Sequence, residues 1–73
     1  MLDTDQLKSF IAIVDTGSFT RAAEQVHKTQ SAVSMNIRKI EETLGKKLFL
    51  KDGRNVKLST DGEKLVDYAR DIL

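Results

Sequence analysis

A chain of 73 residues and 8.2 kDa makes one small domain, at a size where a single apolar core is barely sufficient on its own. The absence of cysteine excludes disulfides and cysteine-based zinc or redox sites, and the one histidine, His27, cannot build a metal cluster alone. The net charge of +1 hides a segregation: residues 27–57 hold eight basic against three acidic side chains, whereas residues 1–26 and 58–73 each hold two basic against four acidic ones.

The N-terminal MLDTDQ has neither the basic start nor the apolar block of a signal peptide, and the longest apolar run, Phe10 to Val14, is too short to cross a bilayer. A soluble, cytoplasmic protein is expected. Leu7, Phe10, Ile11 and Val14 recur at i, i+3, i+4 and i+7, which predicts a first helix capped by Asp3, with Leu2 stapling against Leu7. Thr16-Gly17 ends it. Ser18 caps a second helix whose inward face is Phe19, Ala22, Ala23 and Val26, the paired alanines permitting close approach of a neighbour. His27-Lys28 is a tight turn. Thr29 then caps a third helix over about 29–44, with Val33, Ile37, Ile40 and Leu44 turned inward and Gly45 as the permissive C-terminal residue.

After Gly45 the period changes. LFLK (48–51) and NVKL (55–58) flank Asp52-Gly53, a dipeptide favoured where a two-residue turn needs positive φ, so a β-hairpin is predicted over 48–58. Thr60-Asp61-Gly62-Glu63 has capping-box spacing, with Thr60 as the cap of a fourth helix that runs to Leu73. The order helix, helix, tight turn, helix, hairpin, helix is that of a mainly α winged helix-turn-helix: a three-helix core, a two-stranded β-wing and a C-terminal linker helix. A winged domain over 1–58 and the start of the linker over 59–73 follow from it.

Such a small helical domain also serves as a protein-binding scaffold, and the polar stripe of the third helix separates the two uses. At about 100° per residue, Ser31, Ser34, Met35 and Arg38 fall on the face away from the apolar stripe, with Gln30 beside them. Gln carries a donor and an acceptor suited to adenine, short serines let the backbone approach, Met35 suits a thymine methyl, and Arg38 reaches guanine or phosphate. The plainer alternatives are solvated serines, a Met35 that meets a protein partner, and an Arg38 paired with Glu41 or Glu42. Lys51, Arg54 and Lys57 surround the hairpin turn, placed to straddle a phosphate backbone or to protect an exposed strand edge. An enzyme is not expected: His27 has no evident orienting acid or nucleophile, no glycine-rich phosphate loop is present, and neither a catalytic residue, a metal nor a cofactor is assigned.

TGSFTRAAEQVHKTQSAVSMNIRKIEETLGKKLF, with the later LSTDGEKLVDYARDIL, resembles the N-terminal DNA-binding domain of LysR-type transcriptional regulators over nearly the whole chain. The carrying elements are SFTRAAE, TQSAVS, IRKIEETLG, the LF that opens the wing, and the L-[ST]-x-x-G that opens the last helix. The resemblance implies a bacterial regulator of double-stranded DNA whose full chain continues into an effector-binding domain absent here. It implies that Thr29, Gln30, Ser31, Ser34 and Met35 face the major groove, Arg38 lies near backbone or base, and Arg54 approaches the minor groove; Gln30, Ser31, Ser34, Met35 and Arg38 are expected at base edges, and Ser18, Thr20, Lys28, Thr29, Lys51, Arg54 and Lys57 at the backbone or in the wing. It further implies a homodimer through Leu65, Val66, Tyr68, Ala69, Ile72 and Leu73 on an interrupted palindrome, a tetramer in the full-length protein, and RNA polymerase as a further partner. Four positions depart from the family pattern. Met35 stands where Arg or Gln is usual and Asn36 where Gln is common, so a bidentate base contact is replaced by contact with a thymine methyl. Lys28 replaces an aliphatic residue and adds charge at the turn. Leu50 replaces a polar wing residue and is expected to pack inward.

Overall fold

Helix caps decide where the elements begin. In the computed structural model, which describes residues 2–53 and 55–73, Asp3 caps α1 (Thr4–Thr16) through a complete capping box: its carboxylate accepts from the Gln6 amide at 2.8 Å, and the Gln6 side chain accepts from the Asp3 amide at 3.3 Å. Leu2 packs against the core, as a staple residue would. The Thr16 hydroxyl donates to the Ala12 carbonyl at 2.7 Å, and Gly17 takes the left-handed conformation that ends the helix. Ser18 caps α2 (Phe19–Gln25), accepting from the Arg21 amide at 3.2 Å. The turn that follows is tight because His27 adopts a positive φ of 58° and the Lys28 amide donates back to the Ala23 carbonyl. Thr29 then accepts from the Ala32 amide and starts α3 (Gln30–Leu44).

The core lies where α1, α3 and the entry to the hairpin meet. Phe10, Ile13, Val33, Ile40 and Leu48 are fully enclosed, and the paired Ala22 and Ala23 let α2 close over them. Phe49 joins the hairpin to this core, its ring 5.5 Å from Phe10 and 5.8 Å from Phe19 in tilted and edge-on arrangements. Strands β1 (Phe49–Asp52) and β2 (Asn55–Leu58) pair antiparallel with Phe49 opposite Leu58 and Lys51 opposite Val56. Helix α4 (Thr60–Ile72) returns across α1.

Several sequence expectations are corrected. The cap of α4 is Ser59, not Thr60: the buried Ser59 hydroxyl oxygen accepts from the Gly62 amide at 2.9 Å while its amide and hydroxyl reach the Leu48 carbonyl, so one residue both starts the helix and ties it to the strand entry. Thr60 is already helical and exposed. Asp52 pairs with Asn55, which moves the turn one residue on, to begin at Gly53. Leu44 is 40% exposed rather than buried, since α3 has by then run past the end of the core. Leu50 is 49% exposed because strand alternation turns Phe49 inward and Leu50 out.

The six residues assigned to a helix interface also divide. Leu65 and Ala69 are buried in their own monomer and so are not free to meet a partner, while Val66 is partly buried against the same core. Tyr68, Ile72 and Leu73 remain exposed. No helix among the described residues is long and apolar enough to cross a membrane.

Candidate nucleic-acid interface

The outward face of α3 is open. Gln30, Ser31 and Arg38 are exposed, Met35 is 46% exposed, and Ser34 is half-buried at the edge of the face. The exposure of a methionine at mid-helix follows from its angular position: Val33, Ile37 and Ile40 take the inward stripe, which leaves Met35 on the far side. At the start of α3 the Thr29 hydroxyl oxygen is occupied by the Ala32 amide. The amides of Gln30 and Ser31, in the first helical turn, have no acceptor within the helix and suit an anion. Thr20 meets this end from α2, its hydroxyl donating to the Gln30 side-chain carbonyl at 3.3 Å, which leaves the Gln30 amide group pointing onward.

A groove of about 310 Å³ runs between α3 and the hairpin, with Ser34 and Arg38 on one wall and Leu50, Lys51 and Val56 on the other. The recognition-type face and the wing therefore open to the same side. Glu41 lines the groove too, but its carboxylate is engaged by the Leu48 amide at 2.9 Å and by Lys47 at 4.0 Å. Arg38 makes no ion pair among the described residues, so the pairing with Glu41 or Glu42 weighed from the sequence does not form.

The remaining assigned residues fall at different distances from this groove. Lys51 lines it and Lys57 does not, although Leu50, which stands opposite Lys57 in the register, does. Arg54 lies outside the described residues. Lys28 is exposed in the turn ahead of α3, and Ser18 is committed as the α2 cap. Asn36, read from the sequence as a neighbour of the base-facing stripe, instead turns toward α1 and donates to Ser9 at 2.9 Å. The signal for that was present: Asn36 stands three residues after Val33 and four before Ile40, on the apolar stripe itself.

Residues 4–63 match the model of the bacterial regulatory helix-turn-helix proteins of the lysR family. The chain belongs to that family. This lysR-family domain is 46% identical over 72 residues to the HTH-type transcriptional regulator HdfR of Salmonella typhimurium (strain LT2), a match covering 99% of the chain and 26% of HdfR. It thus spans about a quarter of the length of the curated relatives it matches. Two solved structures superpose closely: the CbnR DNA-binding domain in complex with DNA (TM-score 0.89, 30% identity, covering 96% of this chain and 80% of that one); and the BenM DNA-binding domain with its benA site 1 DNA (TM-score 0.88, 33% identity, covering 96% and 79%). Its winged-helix architecture is that of those structures, and the family is one of regulators rather than enzymes.

Proposed function

We propose that this domain binds double-stranded DNA with sequence preference, placing α3 in the major groove and the hairpin along the phosphate backbone toward the minor groove. The observation that carries this reading is the shared groove: Ser34 and Arg38 of α3 face the same open space as Lys51 of the hairpin, and no described residue plugs it. An α-helix fits the major groove, and the serines, Met35 and Arg38 supply short donors, an apolar contact for a thymine methyl and a guanine or phosphate ligand. Thr29, Lys28 and Thr20 sit at the helix start, where backbone phosphates would lie.

We further infer a homodimer through the exposed part of α4, Tyr68, Ile72 and Leu73, reading an interrupted palindrome, because a twofold protein matches a twofold site. In the cytoplasm of a bacterium the domain would serve as the DNA-reading part of a longer transcription regulator. Its further length would carry an effector-binding domain, a tetramer and contacts to RNA polymerase. Selection of bound duplexes from a random pool, followed by footprinting at several salt concentrations, tests the reading. The expected result is one enriched motif with twofold symmetry and an affinity that falls steeply with salt. Absence of both enrichment and salt dependence points instead to a protein-binding scaffold.

A further inference from the structure

The buried side chains of α1 and α3 are apolar apart from Gln6, which closes the capping box of its own helix, and Ser9. Phe10 and Ile13 of α1 and Val33, Ile37 and Ile40 of α3 are buried aliphatic or aromatic side chains. Among them, the fully enclosed Ser9 accepts a hydrogen bond from the Asn36 side chain at 2.9 Å, across 27 residues of sequence. Among the described hydrogen bonds this is the one side-chain pair joining α1 to α3; the other side-chain ties to α3 come from elsewhere, the Leu48 amide donating to the Glu41 carboxylate at 2.9 Å near its C-terminal end and Thr20 donating to Gln30 at 3.3 Å at its exposed start.

We propose that the Ser9–Asn36 bond fixes the roll of α3 on α1, making Asn36 a positioning residue for base discrimination; the inference rests on the DNA-binding reading above. Apolar burial is non-directional, so a stripe of valine and isoleucine tolerates rotation with little loss of buried area. A hydrogen bond loses strength steeply when its angle departs from linear. Asn36 follows Met35 immediately in α3, and Ser31, Ser34, Met35 and Arg38 turn as one body with it. A rotation that breaks the bond therefore displaces every base-facing side chain together. The pair is not required for stability, since replacing both members of a buried polar pair with apolar groups is often neutral or stabilising. Its contribution is register.

That separation supplies the test. The 73-residue domain carrying Ser9→Ala and Asn36→Leu is compared with wild type by chemical unfolding and by competition between the selected duplex and single-mismatch duplexes. The expected outcome is an unfolding midpoint at or above that of wild type. Discrimination against mismatches falls about tenfold, the scale of one lost base contact, while affinity for random duplex stays level. A folded double variant that discriminates as wild type does overturns the positioning role. If wild type itself does not discriminate, the DNA reading falls and takes this inference with it, so the two failures are distinguishable. Should the double variant not fold, Ser9→Ala alone, which leaves the half-buried Asn36 amide within reach of water, is judged by the same two outcomes.

Discussion

The Arg70 guanidinium donates to the Asp15 carboxylate at 2.8 Å, joining the last turns of α4 and α1 across 55 residues of sequence. Both side chains are about half exposed, so the pair contributes only roughly 0.2–1 kcal/mol to global stability. Its leverage is local: Ala69 is the last buried residue of α4, and Ile72 and Leu73 beyond it are each about half exposed. Asp15→Asn is expected to shift the urea midpoint little and to speed amide exchange selectively in residues 70–73. Uniform acceleration across α1 and α4 would contradict this.

Ser59→Ala removes a helix cap and two links to the Lys47–Leu48 segment in one substitution. An ordinary cap is worth about 1 kcal/mol, and the enclosure of this one places the loss near the upper end of the range, about 2 kcal/mol. Thr60→Ala, at an exposed first helical position, is expected to cost under about 0.5 kcal/mol. Chemical unfolding of the two variants side by side decides which residue caps α4.

At Gly62 the usual advantage of alanine in a helix reverses. Its backbone approaches the Leu48 carbonyl and the Leu58 side chain so closely that an added Cβ would collide with the first and lie 2.8 Å from the second. Gly62→Ala is therefore expected to destabilise the domain by about 1–3 kcal/mol, although helix propensity alone favours it by about 1 kcal/mol. A raised melting temperature would show that α4 can move off the strand entry without loss.

These two adjoining positions mark how far the sequence could be read. Helix periodicity and side-chain caps are local, so Asp3, Ser18, Thr29 and Gly45 declared their roles directly, and the outward face of α3 followed from angular arithmetic. The choice of Ser59 over Thr60 depended on a carbonyl 11 residues away, and no local pattern encodes it. Likewise, Leu65 and Tyr68 are both apolar and three residues apart, and only the position of α1 and the core determines which is buried. For the Ser9–Asn36 pair, spacing on the apolar stripe marks Asn36 as inward-facing, but no local pattern names Ser9, 27 residues away, as its partner.

Met35→Arg is the sharpest test of the recognition face. Met35 is exposed and makes no core contact, so the fold should be unaffected within about 0.5 kcal/mol. A guanidinium at this point offers two parallel donors, matching the acceptors of guanine, and one position of the selected motif is expected to move to guanine with about 1–3 kcal/mol of preference. Duplex selection with both proteins checks this, and an unchanged motif would remove Met35 from the base-facing set.

The two hairpin lysines separate backbone contact from mere charge. Lys51 shares the groove with Arg38 and Ser34, whereas Lys57 is not among its lining residues, yet their contributions to net charge are identical. If affinity depended only on total charge, Lys51→Ala and Lys57→Ala would weaken binding equally. A phosphate contact at the groove predicts asymmetry: Lys51→Ala lowers affinity for all duplexes alike and reduces the slope of log affinity against log salt by about 1. Lys57→Ala should change that slope by much less. Titrations at four or more salt concentrations measure both slopes, and equal slopes would place the duplex across the tip of the hairpin instead of in the groove beside α3.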